Sequence, residues 1–159
     1  MKPIDSDKLD ELDLKVLGDI KKHGWSDMSI FPVSGEGLHF NYTVGLAEMD
    51  HPDLLIVGFD NRQMHEVLYS AVSHIQKGNQ FQADTYSNSV LVDHRVAFVE
   101  VDDPLARPFP MSMTSRLYGE VKALQLVWPD ADDRFPWHDT FAPELRDNQP
   151  LAGTWKGEV

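Results

Sequence analysis

Leu54-Leu55-Ile56-Val57-Gly58-Phe59, followed at once by Asp60-Asn61-Arg62-Gln63-Met64, is the stretch that decides the fold. The first part is a continuous apolar run with no alternation, as expected of a strand covered on both faces, and it is the candidate central strand. Asp60 then stands where an N-cap belongs, with Gln63 three residues on as its capping-box partner. Met64, Val67, Leu68, Ala71, Val72 and Ile75 recur at helical spacing, and Gly78 stops the pattern. A helix over Asn61 to Lys77 therefore follows the central strand directly.

Working outward, Leu9, Leu12, Val16, Leu17 and Ile20 predict a first helix over Ser6 to His23, capped by Ser6 or Asp7 and stopped by Gly24. Asp10, Glu11, Asp13 and Lys15 are expected on its outer face. Met28 to Val33 and Leu38 to Leu46 read as a strand pair joined through Ser34-Gly35-Glu36-Gly37. In the second of these strands Phe40, Tyr42, Val44 and Leu46 alternate with His39, Asn41, Thr43 and Gly45. Downstream, strands are expected near Phe81 to Tyr86, at Val90 to Val92, over Arg95 to Val101 and over Val121 to Trp128. A short helix at Ser112 to Tyr118 is stopped by Gly119. Pro129, Pro136, Pro143 and Pro150 then disfavour long regular structure. The pattern predicts an α+β fold with two main helices on a mostly antiparallel sheet, or a half-open barrel. It predicts a single domain over 1–159, with residues 1–5 a flexible start and 143–159 an irregular tail.

The composition bounds the function. A chain of 159 residues with 42% hydrophobic content can bury a substantial core without a staple, and with Cys 0 it has no disulfide or thiolate chemistry. The absence of cysteine, of a long apolar run and of a signal-like start points to a soluble, cytoplasmic protein with no membrane partner. The formal charge of -12 argues against nucleic acid, whose binding depends on Lys and Arg neutralising phosphates. The acidity reads as solvation or as a face for a basic protein partner.

Spacing tests most catalytic signatures and rejects them. His65-Glu66 opens like a zinc-protease helix, but Tyr69 stands where the second His is required. His65 and His74 are separated by roughly two and a half helical turns, which puts them on opposite sides. Zinc would therefore need His51, His94 or His138 to converge through the fold. Asp130, Asp132 and Asp133 do not sit in a calcium loop, since glycine and the closing glutamate are missing from their required positions. Gly35-Glu36-Gly37 lacks the third glycine of a dinucleotide fingerprint, and neither a P-loop nor a Gly-Xaa-Ser-Xaa-Gly elbow is present. The N-terminus of the second helix at Asp60-Asn61-Arg62 could receive an anion, although the Asp60 carboxylate competes for the same donors. Gln125 alternates with Val121, Ala123 and Val127, so its amide either bonds backbone inside the core or lines a pocket.

His23-Gly24-Trp25, Tyr42-Thr43-Val44-Gly45-Leu46, His51-Pro52-Asp53-Leu54 with Gly58, and Gln125-Leu126-Val127-Trp128-Pro129-Asp130 with Phe135-Pro136-Trp137 occur in that order. Together they resemble a family of small bacterial proteins, common in actinobacteria and seen in phages, recorded as a domain of unknown function. The resemblance spans roughly His23 to Pro150 and implies a cytoplasmic, single-domain protein without supplying an activity, cofactor or catalytic residue. Asp53 stands where the family form reads His-Pro-Glu-Leu, which keeps the carboxylate and shortens its reach.

Because the catalytic spacings fail, the leading expectation is a non-catalytic binding or interaction protein for a basic protein or a small molecule. The alternative is a small enzyme that takes its chemistry from a cofactor such as flavin. The residues expected to bind are Asn41, Tyr42, His51, Asn61, Gln125, Trp128, Asp130 and Trp137, with no catalytic or metal-ligating residue assigned. They either converge on one concave region with aromatic walls and fixed polar groups, or act as large core fillers whose polar tips need a partner.

Overall fold

The computed structural model describes residues 9–32 and 37–159. Its first helix, α1, spans Glu11–His23 and is capped by Asp10. The Asp10 carboxylate accepts the Asp13 N–H at 2.9 Å while the Asp13 carboxylate accepts the Asp10 N–H at 3.1 Å, a reciprocal capping box. The expected caps Ser6 and Asp7 lie outside the described residues. The helix is also rotated from expectation: Asp13 and Val16 face inward, and Leu12 and Leu14 are exposed. A charge can occupy the inner face because the Arg116 guanidinium meets the Asp13 carboxylate through Nη2 at 2.7 Å and Nε at 2.9 Å.

Ser26–Ile30 forms β1 and Phe40–Val44 forms β2, an antiparallel pair whose expected turn over Ser34-Gly35-Glu36 lies outside the described residues. A 3-10 turn at Leu46–Met49 leads to β3, Asp53–Val57, and then to α2, Asn61–Gln76. There follow β4 (Thr85–Ser87), β5 (Val96–Glu100), α3 (Ser112–Tyr118), β6 (Ala123–Val127) and α4 (Pro143–Arg146). The six strands make one open sheet in the order β1-β2-β3-β6-β5-β4.

The fold is α+β, but the expectation of a mostly antiparallel sheet or half-open barrel is corrected: the sheet is open and mixed. β3 and β6 run parallel at its centre, with antiparallel partners on either side. Parallel neighbours need a long crossover, and the chain supplies one through α2, β4, β5 and α3 before β6 enters between β3 and β5. Beside the two long helices stand two short ones, α3 and α4, the latter starting at Pro143 inside the expected irregular tail. The expected strand at Val90 to Val92 bends instead of pairing, next to Asp93 in the left-handed region at φ 64°.

Both faces of the central strands are covered, which is why β2, β3 and β6 are buried along their full lengths. On one face Met64, Leu68 and Val72 of α2 pack on Leu54, Ile56, Phe98 and Leu126. On the other, Phe40, Tyr42, Leu55 and Val57 meet Val16 of α1 and Leu117 of α3, and Phe135 covers Val99 and Val127. The α2 cap is the one read from sequence, with the Asp60 carboxylate accepting the Gln63 N–H at 2.8 Å. Asp60→Ala is expected to lower stability by about 1 kcal/mol. Urea unfolding checks it, and an unchanged midpoint would show that solvent replaces the cap without loss.

Candidate functional site

β1 and β2 carry a polar patch on the α2 side of an otherwise apolar sheet. Antiparallel pairing sets Asp27 opposite Thr43 and Ser29 opposite Asn41, and paired residues share a face. Met28 and Ile30, the alternate residues of β1, turn to the opposite core. α2 answers the patch with Asn61, His65 and Tyr69, which at four-residue intervals form one stripe.

These groups join in a network. His65 Nδ1 lies 2.6 Å from Asp27 Oδ2, and an ionised carboxylate accepts, so Nδ1–H donates. The amide nitrogen of Asn41, itself 1% exposed, reaches Asp27 Oδ1 at 3.1 Å, Ser29 Oγ at 3.2 Å and Asn61 Oδ1 at 3.1 Å. Ser29 Oγ donates to Asn61 Oδ1 at 2.7 Å. The Asp27 side chain is 12% exposed while that of His65 is 53% exposed, so a sheltered acid supports an accessible base. Burial pushes the Asp27 carboxyl up, and the His65 and Asn41 hydrogen bonds pull against that shift. The imidazole lies nearly parallel to Trp25, at 14° with ring centroids 6.4 Å apart. Among the described residues, His65 Nε2 has no hydrogen-bond partner.

The pair opens on a cleft of about 520 Å³ between α1, β1 and α2, walled by Trp25 and Tyr69 and edged by Lys15, Asp19 and His23. Lys15 is held by Asp19 at 3.2 Å and is not a free cation. Aromatic walls with a few fixed polar groups are the composition of a small-molecule site. A carboxylate and an imidazole whose Nε2 is unpartnered are two parts of the arrangement by which enzymes take a proton from water or a hydroxyl.

The residues expected to bind do not gather in one place. Asn41 and Asn61 meet in the network just described. Tyr42 lies on the opposite face of the sheet, its hydroxyl accepting the Met113 N–H at 3.0 Å, and burial pushes its phenol up to about 12. Trp128 packs on the α2 side against Phe59 and donates Nε1–H to the Val57 carbonyl at 2.8 Å. Tyr42 and Trp128 therefore cannot wall one cavity. His51 is committed at both nitrogens, with Nδ1–H on the Pro52 carbonyl at 2.8 Å and Nε2 accepting the Phe81 N–H at 3.0 Å. Burial lowers its pKa, in keeping with that neutral tautomer. Gln125 bonds backbone, through Nε2 to the Pro150 carbonyl and Oε1 from the Ala152 N–H.

Asp130 is a loop organiser. Its Oδ1 accepts the N–H groups of Asp132 and Arg134 and its Oδ2 that of Ala142. Burial opposes the charge, but these donors outweigh it and hold the carboxyl below its usual range. Trp137 stacks on Trp155 with centroids 4.2 Å apart and donates Nε1–H to the Tyr86 hydroxyl. Asp27 and His65 as a pair escaped the sequence reading because 38 residues separate them. The available signals were polar Asp27 and Ser29 alternating with apolar Met28 and Ile30, and the Asn61, His65, Tyr69 stripe.

Residues 19–142, which include every member of this network, match the family model described as "Domain of unknown function (DUF4262)". The chain belongs to that family. No curated protein and no solved structure matches it.

Proposed function

We propose that the protein is an acid–base enzyme acting on a small polar ligand in the Trp25–Tyr69 cleft. His65 Nε2 is the general base, and Asp27 orients the ring and stabilises the imidazolium formed when it accepts a proton. The 2.6 Å Nδ1 to Oδ2 contact carries the reading, because a proton held there puts the neutral ring in the tautomer whose Nε2 can accept, on a residue that lines the cleft. Asn41 holds the carboxylate from behind. The proton acceptor acts on water or on a substrate hydroxyl, since cysteine is absent and the Ser29 hydroxyl is engaged with Asn61. The sequence pattern put a non-catalytic binding role ahead of an enzyme. On the strength of this dyad we place the enzyme first, and a purely binding role for the same cleft is the second reading, supported by its aromatic walls.

Long-range 1H–15N spectra are expected to place the neutral-imidazole proton of His65 on Nδ1 in the native protein, with that preference lost in Asp27→Asn. A proton on Nε2 instead would end the assignment. With p-nitrophenyl acetate and p-nitrophenyl phosphate as probes, His65→Gln and Asp27→Asn should each lower kcat by about 10²-fold or more, the general-base contribution. Native rates equal to those of both variants would favour the binding role.

A further inference from the structure

Where parallel strands β3 and β6 begin, the molecule holds a second cavity whose lining shares no residue with the Asp27–His65 cleft. It has a volume of about 480 Å³ and is lined by Asp50, Asp53, Thr114, Tyr118, Glu120 and Lys122, with His51 and Pro52 on one side. That volume suits a small molecule.

Asp53 is the informative member. It is 3% exposed, yet it makes no ion pair among the described residues. Both of its partners approach one oxygen: Thr43 Oγ1 donates to Oδ1 at 2.8 Å and the Leu46 N–H donates to the same atom at 3.1 Å. Among the described residues Oδ2 has no partner. Oδ2 is not among the buried atoms left without a partner, so on an otherwise buried carboxyl it is the oxygen that keeps accessible surface, in a residue that lines the cavity. The Tyr118 phenol is pushed up by burial first, then by Glu48 and least by Asp53.

We propose that this cavity binds a small organic ammonium ion, a primary amine or diamine, whose N–H groups pair with Asp53 Oδ2 and whose second charge lies toward Asp50 and Glu120. The lining carries three carboxylates against one lysine, and Glu48, hydrogen-bonded to Tyr118, stands behind that wall. Ala47 and Pro52 offer an apolar surface to an alkyl stem. A divalent cation is disfavoured by geometry: among the described residues no three carboxylates or imidazoles come close enough to share one, and hard cations need several oxygen ligands. Neither Lys122 nor His51 replaces the ligand. Lys122 forms no ion pair among the described residues, and the His51 nitrogens are occupied.

The proposal is independent of the acid–base reading and can fail separately from it. Calorimetric titration at about pH 8, above the range in which Asp53 holds its proton, would use 1,4-diaminobutane, uncharged 1,4-butanediol and calcium as probes. The diamine is expected to bind and to move the amide resonances of Leu46 and Leu54, next to the Asp53–Thr43 contact. Asp53→Asn should weaken it by at least about thirtyfold, the loss typical of truncating one partner of a buried charge pair. Asp27→Asn should leave it unchanged. Equal affinity for the diol, a preference for calcium, or undiminished binding by Asp53→Asn would overturn the proposal. Should Asp53→Asn fold poorly, the resonance map of the native protein decides: shifts elsewhere on the surface refute the site.

Discussion

Between pH 5 and pH 8 the protein is expected to lose roughly 3 kcal/mol of stability, and Asp53→Asn to remove most of that loss. Burial pushes the Asp53 carboxyl up to about 7 from an ordinary 3.8, against the pull of Thr43 and Leu46. Between those values the native state keeps a proton that the unfolded chain has released. The stabilisation is therefore complete below 3.8 and disappears as pH rises through about 7. Asparagine cannot titrate, and its oxygen still accepts from Thr43 and Leu46. Asp27, also raised by burial, adds a smaller slope of the same sign. His51 works in the opposite sense, because burial lowers its pKa and its contribution is lost as pH falls through that depressed value. Asp13 and Asp133 are held below the usual carboxylate range, so their contributions persist until more acid conditions. Urea unfolding of both proteins across this window isolates the Asp53 share. Parallel profiles for native protein and variant would mean that Asp53 is ionised in the fold at all these pH values.

How much of this fold is legible in the sequence depends on the range of each interaction. β3 and α2 were legible because a doubly buried strand and a capped amphipathic helix write their environment into consecutive residues, and Asp60 with Gln63 behaves as its spacing requires. The parallel pairing of β3 with β6 was not legible: nothing in Leu54 to Val57 says which strand lies beside it after a crossover. The inward turn of Asp13 depended on Arg116, 103 residues away, and no local rule predicts a charge on the inner face of a helix. The same reason hid the dyad. Asn41 and Asn61 were found singly, as polar residues in well-formed elements, while the carboxylate and imidazole that give them a purpose belong to other elements. The stretch after Trp128 is legible as irregular from its prolines, but not as divided between faces: Trp128 turns to α2, and Phe135 and Trp137 cover the opposite side.

Gln149→Leu is expected to cost about 2–5 kcal/mol, because two buried backbone groups lose their partners at once. Trp128 follows directly on β6, and there the Gln149 side chain takes the place of a neighbouring strand. Its Oε1 accepts the Trp128 N–H and its Nε2 donates to the Trp128 carbonyl, both at 2.9 Å. Gln149 is 1% exposed, so solvent does not readily make good the loss. Leucine fills similar space but offers nothing to either group, and its apolar burial offsets only part of the cost. The anchor also explains a glycine. Gly58 has φ 98°, and a Cβ there would run into the Asn148 carbonyl and the Trp128 ring, so the tail crosses the end of β3 at a distance that admits no side chain. Gln125, holding Pro150 and Ala152 from the sheet, continues the same seam. Equilibrium urea unfolding gives the cost, and hydrogen exchange at Trp128 gives its location. A loss under about 1 kcal/mol with the Trp128 amide still protected would mean that another group had taken over both bonds, and that the tail is held by its aromatic packing on Phe135 and Trp137 instead.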